Sequence, residues 1–191
     1  MFVKICGITN REDALAAVEA GARALGFIFY NRSPRRVTAD SLTPWIGEIP
    51  PDIWKVGVFV NESPEIIEQI AAQLTLDIAQ LHGSETPDQH PRSLRIWRAI
   101  RVENDRIAHP DYPAEAILLD GPGSGRTFEW SLAKSVAKPV ILAGGLTPEN
   151  VEEAIAQTNP WGVDTASGVE SSPGRKDHAR MKMFIKAALR S

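Results

Sequence analysis

Short apolar runs and amphipathic segments alternate along this chain from end to end. The runs fall at residues 2–6 (FVKIC), 24–30 (ALGFIFY), 54–60 (WKVGVFV), 78–82 (IAQLH), 96–102 (IWRAIRV), 116–120 (AILLD), 139–143 (PVILA) and 162–166 (GVDTA). Several are nearly continuous in apolar residues, as parallel strands are when helices cover them. Between the runs the spacing becomes helical. Thr9-Asn10-Arg11-Glu12-Asp13 opens one helix, with Ala14, Leu15, Ala17 and Val18 as its apolar face and Gly21 as its stop. Ser63-Pro64-Glu65 and Thr147-Pro148-Glu149 each read as an N-cap followed by proline in the first turn. Ile66, Ile67, Ile70 and Leu74 line the first of these helices, and Val151 and Ile155 the second. The longest helix is predicted over 176–190, with Met181, Phe184, Ile185 and Leu189 facing inward. Residues 103–115 hold two prolines and little periodicity, which predicts a loop or a degenerate helix.

Strands alternating with helices predict an α/β fold with a parallel sheet, and eight strands are the number that closes a barrel. The reading is a single (β/α)8 TIM barrel over residues 1–191, near-minimal at this length, with its fifth helix degenerate or replaced by a loop. The alternative is a doubly wound open sheet, which usually has fewer strands and a glycine-rich dinucleotide fingerprint after the first. Cys6-Gly7-Ile8 stands in that place instead.

Composition narrows the function classes. Apolar residues make up 43% and charged residues 24%, as in an ordinary globular protein, so a sizeable core needs no staples. A net charge of -3 with scattered basic residues argues against a nucleic-acid partner. Arg32, Arg35 and Arg36 form the one basic cluster, read as a small anion site or a solvated loop. A single cysteine rules out an intrachain disulfide and fits a reducing compartment. No signal-peptide pattern opens the chain, and no apolar run approaches the ~20 residues of a membrane span. The expectation is a cytoplasmic protein, off the membrane, acting on a small molecule as a monomer or homodimer.

In a barrel of this kind the site lies at the C-terminal ends of the strands. Those ends carry Cys6, Arg35, His82, Asp120, Gly144-Gly145, Asp164 and Ser167-Gly168. Turn glycines that precede a helix can bring backbone N–H groups to an anion, and loops after strands seven and eight are the habitual phosphate site of the fold. Gly123 and Gly125 could add donors. Taken singly, each glycine pair reads more readily as a plain turn, but two pairs at the expected places reverse that. Asp120 ends an apolar strand, where low-dielectric surroundings should raise its pKa and suit a general acid; a strand-end aspartate also caps turns. Arg35 could pair with a substrate carboxylate or stay solvated. His82 either lines the site or is satisfied by a backbone partner.

A lone cysteine is more often core filling than chemistry. Strand parity argues otherwise. Phe2, Lys4 and Cys6 share one face, and Val3 and Ile5 the other. The apolar pair suits the helix layer, which turns Lys4 and Cys6 into the barrel. An interior lysine needs a partner, and Asp164 on the adjacent eighth strand supplies one. Lys4 should also favour the Cys6 thiolate. No metal-ligand spacing is present.

These strand-end residues resemble the phosphoribosylanthranilate isomerase family. The motifs run in order: KICGITNREDALAAVEAGARALGFIFY, NRSPRRV, VGVFVN, AQLHG, ILLDG with GSGRTFEW, ILAGGLTPENV and VDTASGVESSPGRKDHARMKMFI. The resemblance covers nearly the whole chain and is most specific at KICG and the C-terminal block. It implies an Amadori rearrangement of N-(5-phosphoribosyl)anthranilate in tryptophan biosynthesis, with no cofactor or metal. It further implies Asp120 as general acid and Cys6 as general base. Arg35 would hold the anthranilate carboxylate, and Gly144, Gly145, Ser167 and Gly168, with Gly123 and Gly125, the phosphate. His82 and Asp164 complete the expected substrate-binding set. The rival readings are a non-catalytic phosphate-binding barrel, and a histidine-pathway or dual-substrate sugar-phosphate isomerase. The latter resemble one another in paired aspartates, against which Cys6 argues. A thiol hydrolase would need a histidine beside Cys6, and only His82 is a strand-end candidate.

Overall fold

The computed structural model describes residues 1–104, 106–122 and 127–190. Eight parallel strands close into a barrel in chain order. They are β1 (Phe2–Cys6), β2 (Ala24–Ile28), β3 (Trp54–Phe59), β4 (Ile78–Leu81), β5 (Arg95–Arg101), β6 (Ala116–Asp120), β7 (Val140–Leu142) and β8 (Gly162–Thr165). β8 closes on β1 with Lys4 opposite Asp164. All eight predicted strands are present, and most stop a residue or two early, where the chain leaves the ladder for its loop.

The helical layer is uneven. Helix α1 (Arg11–Ala20) starts at Asn10, whose side chain accepts from Asp13 N, and ends at left-handed Gly21. After β2 come only the four residues of α2 (Ala39–Leu42) and a 3-10 turn. Helix α3 (Pro64–Leu74) is capped by Ser63 as predicted. The connections after β4 and β6 hold short 3-10 helices, and the described residues between β5 and β6 form turns without a helix. The fifth helix is therefore replaced by loop.

Three details differ from the pattern. Helix α4 (Val151–Thr158) begins at Val151, because Thr147 and Asn150 close the preceding turn instead. Thr147 Oγ1 accepts from Glu149 N, and Asn150 accepts from Thr147 N while donating to Gly145 O. Helix α5 (His178–Arg190) begins at His178, because the chain before it folds into a hairpin of β9 (Glu170–Ser172) and β10 (Arg175–Lys176). Leu189 is exposed, since the inward stripe runs through Met181, Phe184, Ile185 and Ala188 and leaves it at the rim.

Two apolar layers separate by strand parity. Val3, Ile5, Leu25 and Phe27 face outward against residues such as Ala14, Ala17 and Phe184. Ala24, Val56, Ile78, Trp97, Leu118 and Ile141 fill the interior. At the N-terminal end of the strands an aromatic plug closes the barrel. Phe2 stacks on Trp161 at 4.5 Å between centroids and meets the edge of Trp97 at 5.9 Å. With its base filled, the barrel is open for chemistry only at the other end.

Candidate active site

Cys6 and Lys4 point into the barrel, as parity predicts. Lys4 is fully buried, and its Nζ donates to Asp164 Oδ1 at 2.9 Å. A lone ammonium there would be prohibitive, so the pair is a condition of placing lysine in the interior. Burial works against the Lys4 ammonium, but Asp164 and Cys6 together outweigh it and hold the lysine above its ordinary pKa. Burial raises the Asp164 carboxyl, and Lys4 draws it back only in part.

Cys6 sits directly above, nearly buried. Its neighbour across the ladder is Gly26, where a Cβ would stand 2.8 Å from Sγ. Burial pushes the Cys6 thiol above its ordinary pKa; Lys4 and Lys176 pull it down, and Asp164 adds to the rise. Lys4 thus favours the thiolate, as strand parity led one to expect. Lys4 exerts its pull, but depth in the barrel outweighs it.

A cavity of about 440 Å³ opens at the C-terminal ends of the strands, and Cys6, Arg35, His82, Asp120, Gly145 and Ser167 are among its walls. Gly144 and Asp164 also reach it. Asp120 keeps 24% of its side chain exposed, so it is less enclosed than an apolar strand end suggested. His82 Nε2 lies 3.5 Å from Asp120 Oδ2 with no hydrogen-bond partner among the described residues, contrary to a histidine satisfied by the backbone. A Cβ on Gly144 would fall 2.0 Å from Gly121 N, so glycine is what lets the loops after β6 and β7 touch. Gly168 stands behind the wall, against Leu146 O. Gly123 and Gly125 lie outside the described residues.

Arg35 reaches the cavity already engaged. Its Nε and Nη2 donate to Glu170 Oε1 and Oε2 at 2.8 and 2.6 Å. Glu170 also accepts from Lys176 Nζ at 2.9 Å. Neither Glu170 nor Lys176 stood out in the sequence. Lys176 read as the first residue of a helix, although Pro173-Gly174 just before it is a turn dipeptide that marks the hairpin.

A larger cavity of about 1260 Å³ lies on the β4–β5 side and shares His82. Its buried charges are already matched: Arg98 donates to Glu85 Oε2 and to Gly83 O, both at 2.6 Å. The strand-end acid and thiol, Asp120 and Cys6, line the smaller one.

A family model described as N-(5'phosphoribosyl)anthranilate (PRA) isomerase matches residues 3–187. The N-(5'-phosphoribosyl)anthranilate isomerase of Trichlorobacter lovleyi is 46% identical over 198 residues, covering 97% of each chain. The crystal structure of phosphoribosyl anthranilate isomerase from Thermotoga maritima matches over all of both chains, with a TM-score of 0.92 and 42% identity. A phosphoribosyl anthranilate isomerase in complex with reduced 1-(o-carboxyphenylamino)-1-deoxyribulose 5-phosphate matches equally fully, with a TM-score of 0.90 and 41% identity. By sequence, fold and extent of match, the chain belongs to the phosphoribosylanthranilate isomerase family.

Proposed function

We propose that this chain converts N-(5-phosphoribosyl)anthranilate to 1-(2-carboxyphenylamino)-1-deoxyribulose 5-phosphate, an Amadori rearrangement in tryptophan biosynthesis. The supporting observation is that Cys6, Asp120 and Arg35 share one cavity with the glycine turn after β7 and Ser167 after β8. Asp120 donates a proton to the ring oxygen as the C1′–O bond breaks. The product of that step is an open-chain Schiff base, protonated on nitrogen. Cys6, as thiolate, then takes the proton from C2′, which the iminium has acidified. The resulting enolamine tautomerises to the amino ketone. In that last step C1′ gains a proton and the C2′ hydroxyl loses one; Cys6 then gives up its proton and Asp120 regains one through solvent, which resets both groups.

The Cys6 environment suits a base that must act on carbon. A raised pKa makes the thiolate scarcer by ~1.4 kcal/mol per unit, but makes each thiolate a stronger base. His82, close to Asp120, steadies the acid. The Gly144-Gly145 turn and Ser167 receive the phosphate, and Arg35 the anthranilate carboxylate, so the substrate is held at both ends with C2′ over Cys6. Gly168 supports this wall from behind. We place the enzyme in the cytoplasm as a monomer or homodimer. Among the described residues no helix is long and apolar enough to cross a membrane.

Turnover of phosphoribosylanthranilate by wild type, Cys6→Ala and Asp120→Ala tests the assignment. Each substitution should lower kcat by ~10²–10⁴, the usual contribution of a general acid or base. Full activity in either variant overturns that residue's role, and an inactive wild type overturns the activity.

A further inference from the structure

Lys176 is one of the buried groups that the mechanism leaves unused. Lys176 has a fully buried side chain, and its Nζ donates to three acceptors: Cys6 O at 2.7 Å, Ala166 O at 3.1 Å and Glu170 Oε1 at 2.9 Å. Burial pulls its pKa below the ordinary lysine value, with Glu170 pulling it back up. The geometry decides the state. Three acceptors require three N–H donors, which the ammonium has and the neutral amine lacks.

Glu170 is equally committed. Oε1 accepts from Arg35 Nε, Lys176 Nζ and Gly174 N, and Oε2 accepts from Arg35 Nη2. Burial opposes its charge, but Arg35 and Lys176 outweigh that and hold the carboxyl below its ordinary pKa. Gly7 shapes the other side of Arg35, since a Cβ there would fall 2.6 Å from Arg35 Cδ. The hairpin that carries Glu170 and Lys176 is anchored to α1 by Asp13, which accepts from Lys176 N at 2.9 Å.

The charges of this cluster have a consequence. A guanidinium held bidentate by a carboxylate is a neutral unit and a poor receptor for an anion. Lys176 sits on the same carboxylate and restores one net positive charge. That charge reaches the cavity only through Arg35, whose side chain is 20% exposed, against 4% for Glu170 and 0% for Lys176.

We propose that Lys176 is a positioning residue: its ammonium offsets Glu170, so that Glu170 can fix the plane of Arg35 without cancelling its charge toward an anionic substrate group. The same ammonium clamps the carbonyl of Cys6, which ties the anion site to the backbone of the base. This rests on the reading that Arg35 receives the substrate carboxylate.

The test compares kcat and KM for phosphoribosylanthranilate and for its decarboxylated counterpart, N-(5-phosphoribosyl)aniline. Lys176→Met should raise KM for the carboxylate substrate about tenfold, the worth of one weakened charge-assisted bond, with a smaller change in kcat. KM for the aniline should stay within about twofold, on the same reasoning. The double variant Glu170→Gln/Lys176→Met has the same lost clamp but leaves Arg35 with one net positive charge, and should recover most of the lost KM. Lys176→Gln provides the same comparison if the methionine variant does not fold. Equal impairment of single and double variants, or equal shifts for both substrates, would show a merely structural lysine and overturn the proposal. Arg35→Met separates the two levels. If it leaves discrimination between the substrates unchanged, the carboxylate reading fails and the inference with it. If it abolishes discrimination while Lys176→Met does not, the inference alone fails.

Discussion

Gly26 and Cys6 face each other across the first two strands, and a Cβ on Gly26 would stand 2.8 Å from Cys6 Sγ and 3.2 Å from Lys4 Cε. The missing side chain is what lets a thiol and an ammonium share the barrel wall. Gly26→Ala should force Sγ from its place. Overpacking of this kind costs ~1–3 kcal/mol of stability. The larger effect falls on catalysis, because a displacement of about 1 Å at a reacting atom can cost ~10²-fold. Measured kcat should fall ~10–100-fold, with a modest drop in Tm. An unaltered kcat would show that Cys6 tolerates the shift.

The Lys4–Asp164 pair separates stability from chemistry. Removing one member strands a buried charge, which costs ~3–5 kcal/mol, whereas replacing both with apolar groups is often close to neutral. In urea unfolding, Asp164→Leu and Lys4→Met should each be strongly destabilised, and the double variant much less so than the sum. Additive losses would mean that the charges are not coupled across 2.9 Å.

The strands and the inward thiol were legible because a barrel leaves its pattern in local sequence. Apolar runs mark strands, and alternation in Phe2–Cys6 suffices to turn Lys4 and Cys6 inward. The hairpin was not legible as strands. Glu170–Ser172 and Arg175–Lys176 are polar and too short for any period, and only Pro173-Gly174 announces the turn. The Arg35–Glu170 pair spans 135 positions, and such long-range pairing has no local signature. The thiol's net balance was not legible for a related reason. A nearby lysine can be inferred from strand neighbours, but depth of burial is a property of the assembled barrel.

Burial, with Asp164, sets Cys6 above its ordinary pKa despite Lys4 and Lys176, and this has a measurable sign. Cys6 is the single cysteine, so alkylation by iodoacetamide reports it alone. The alkylation rate should titrate with a midpoint above the free-thiol value of ~8.5. Stability follows by linkage. Above pH ~8.5 the unfolded chain loses the thiol proton while the folded chain keeps it, so the folded state binds more protons. The contribution is whole below that pH and is lost as pH rises through the folded pKa. The stability advantage of wild type over Cys6→Ser should therefore shrink as pH rises above ~8.5. A midpoint at or below ~8.5, or a widening advantage, would contradict a raised pKa.

Gly168 tests the phosphate wall from outside the cavity. A Cβ there would fall 2.0 Å from Leu146 O and 2.9 Å from Thr165 Oγ1, and Thr165 Oγ1 donates to Leu146 O at 2.8 Å. That bond ties the end of β8 to the loop after β7, the two segments proposed to receive phosphate. Both contacts belong to groups fixed by the barrel, so Gly168→Ala must move the loop rather than a flexible side-chain tip. The displaced backbone carries Gly145 on one side and Ser167 on the other, both on the cavity wall. KM should rise about tenfold, as expected when a phosphate loses one well-placed donor, while kcat changes less. Competitive inhibition by inorganic phosphate should weaken in parallel, because that ion probes the wall without the rest of the substrate. An unchanged inhibition constant would place the phosphate elsewhere along the barrel mouth.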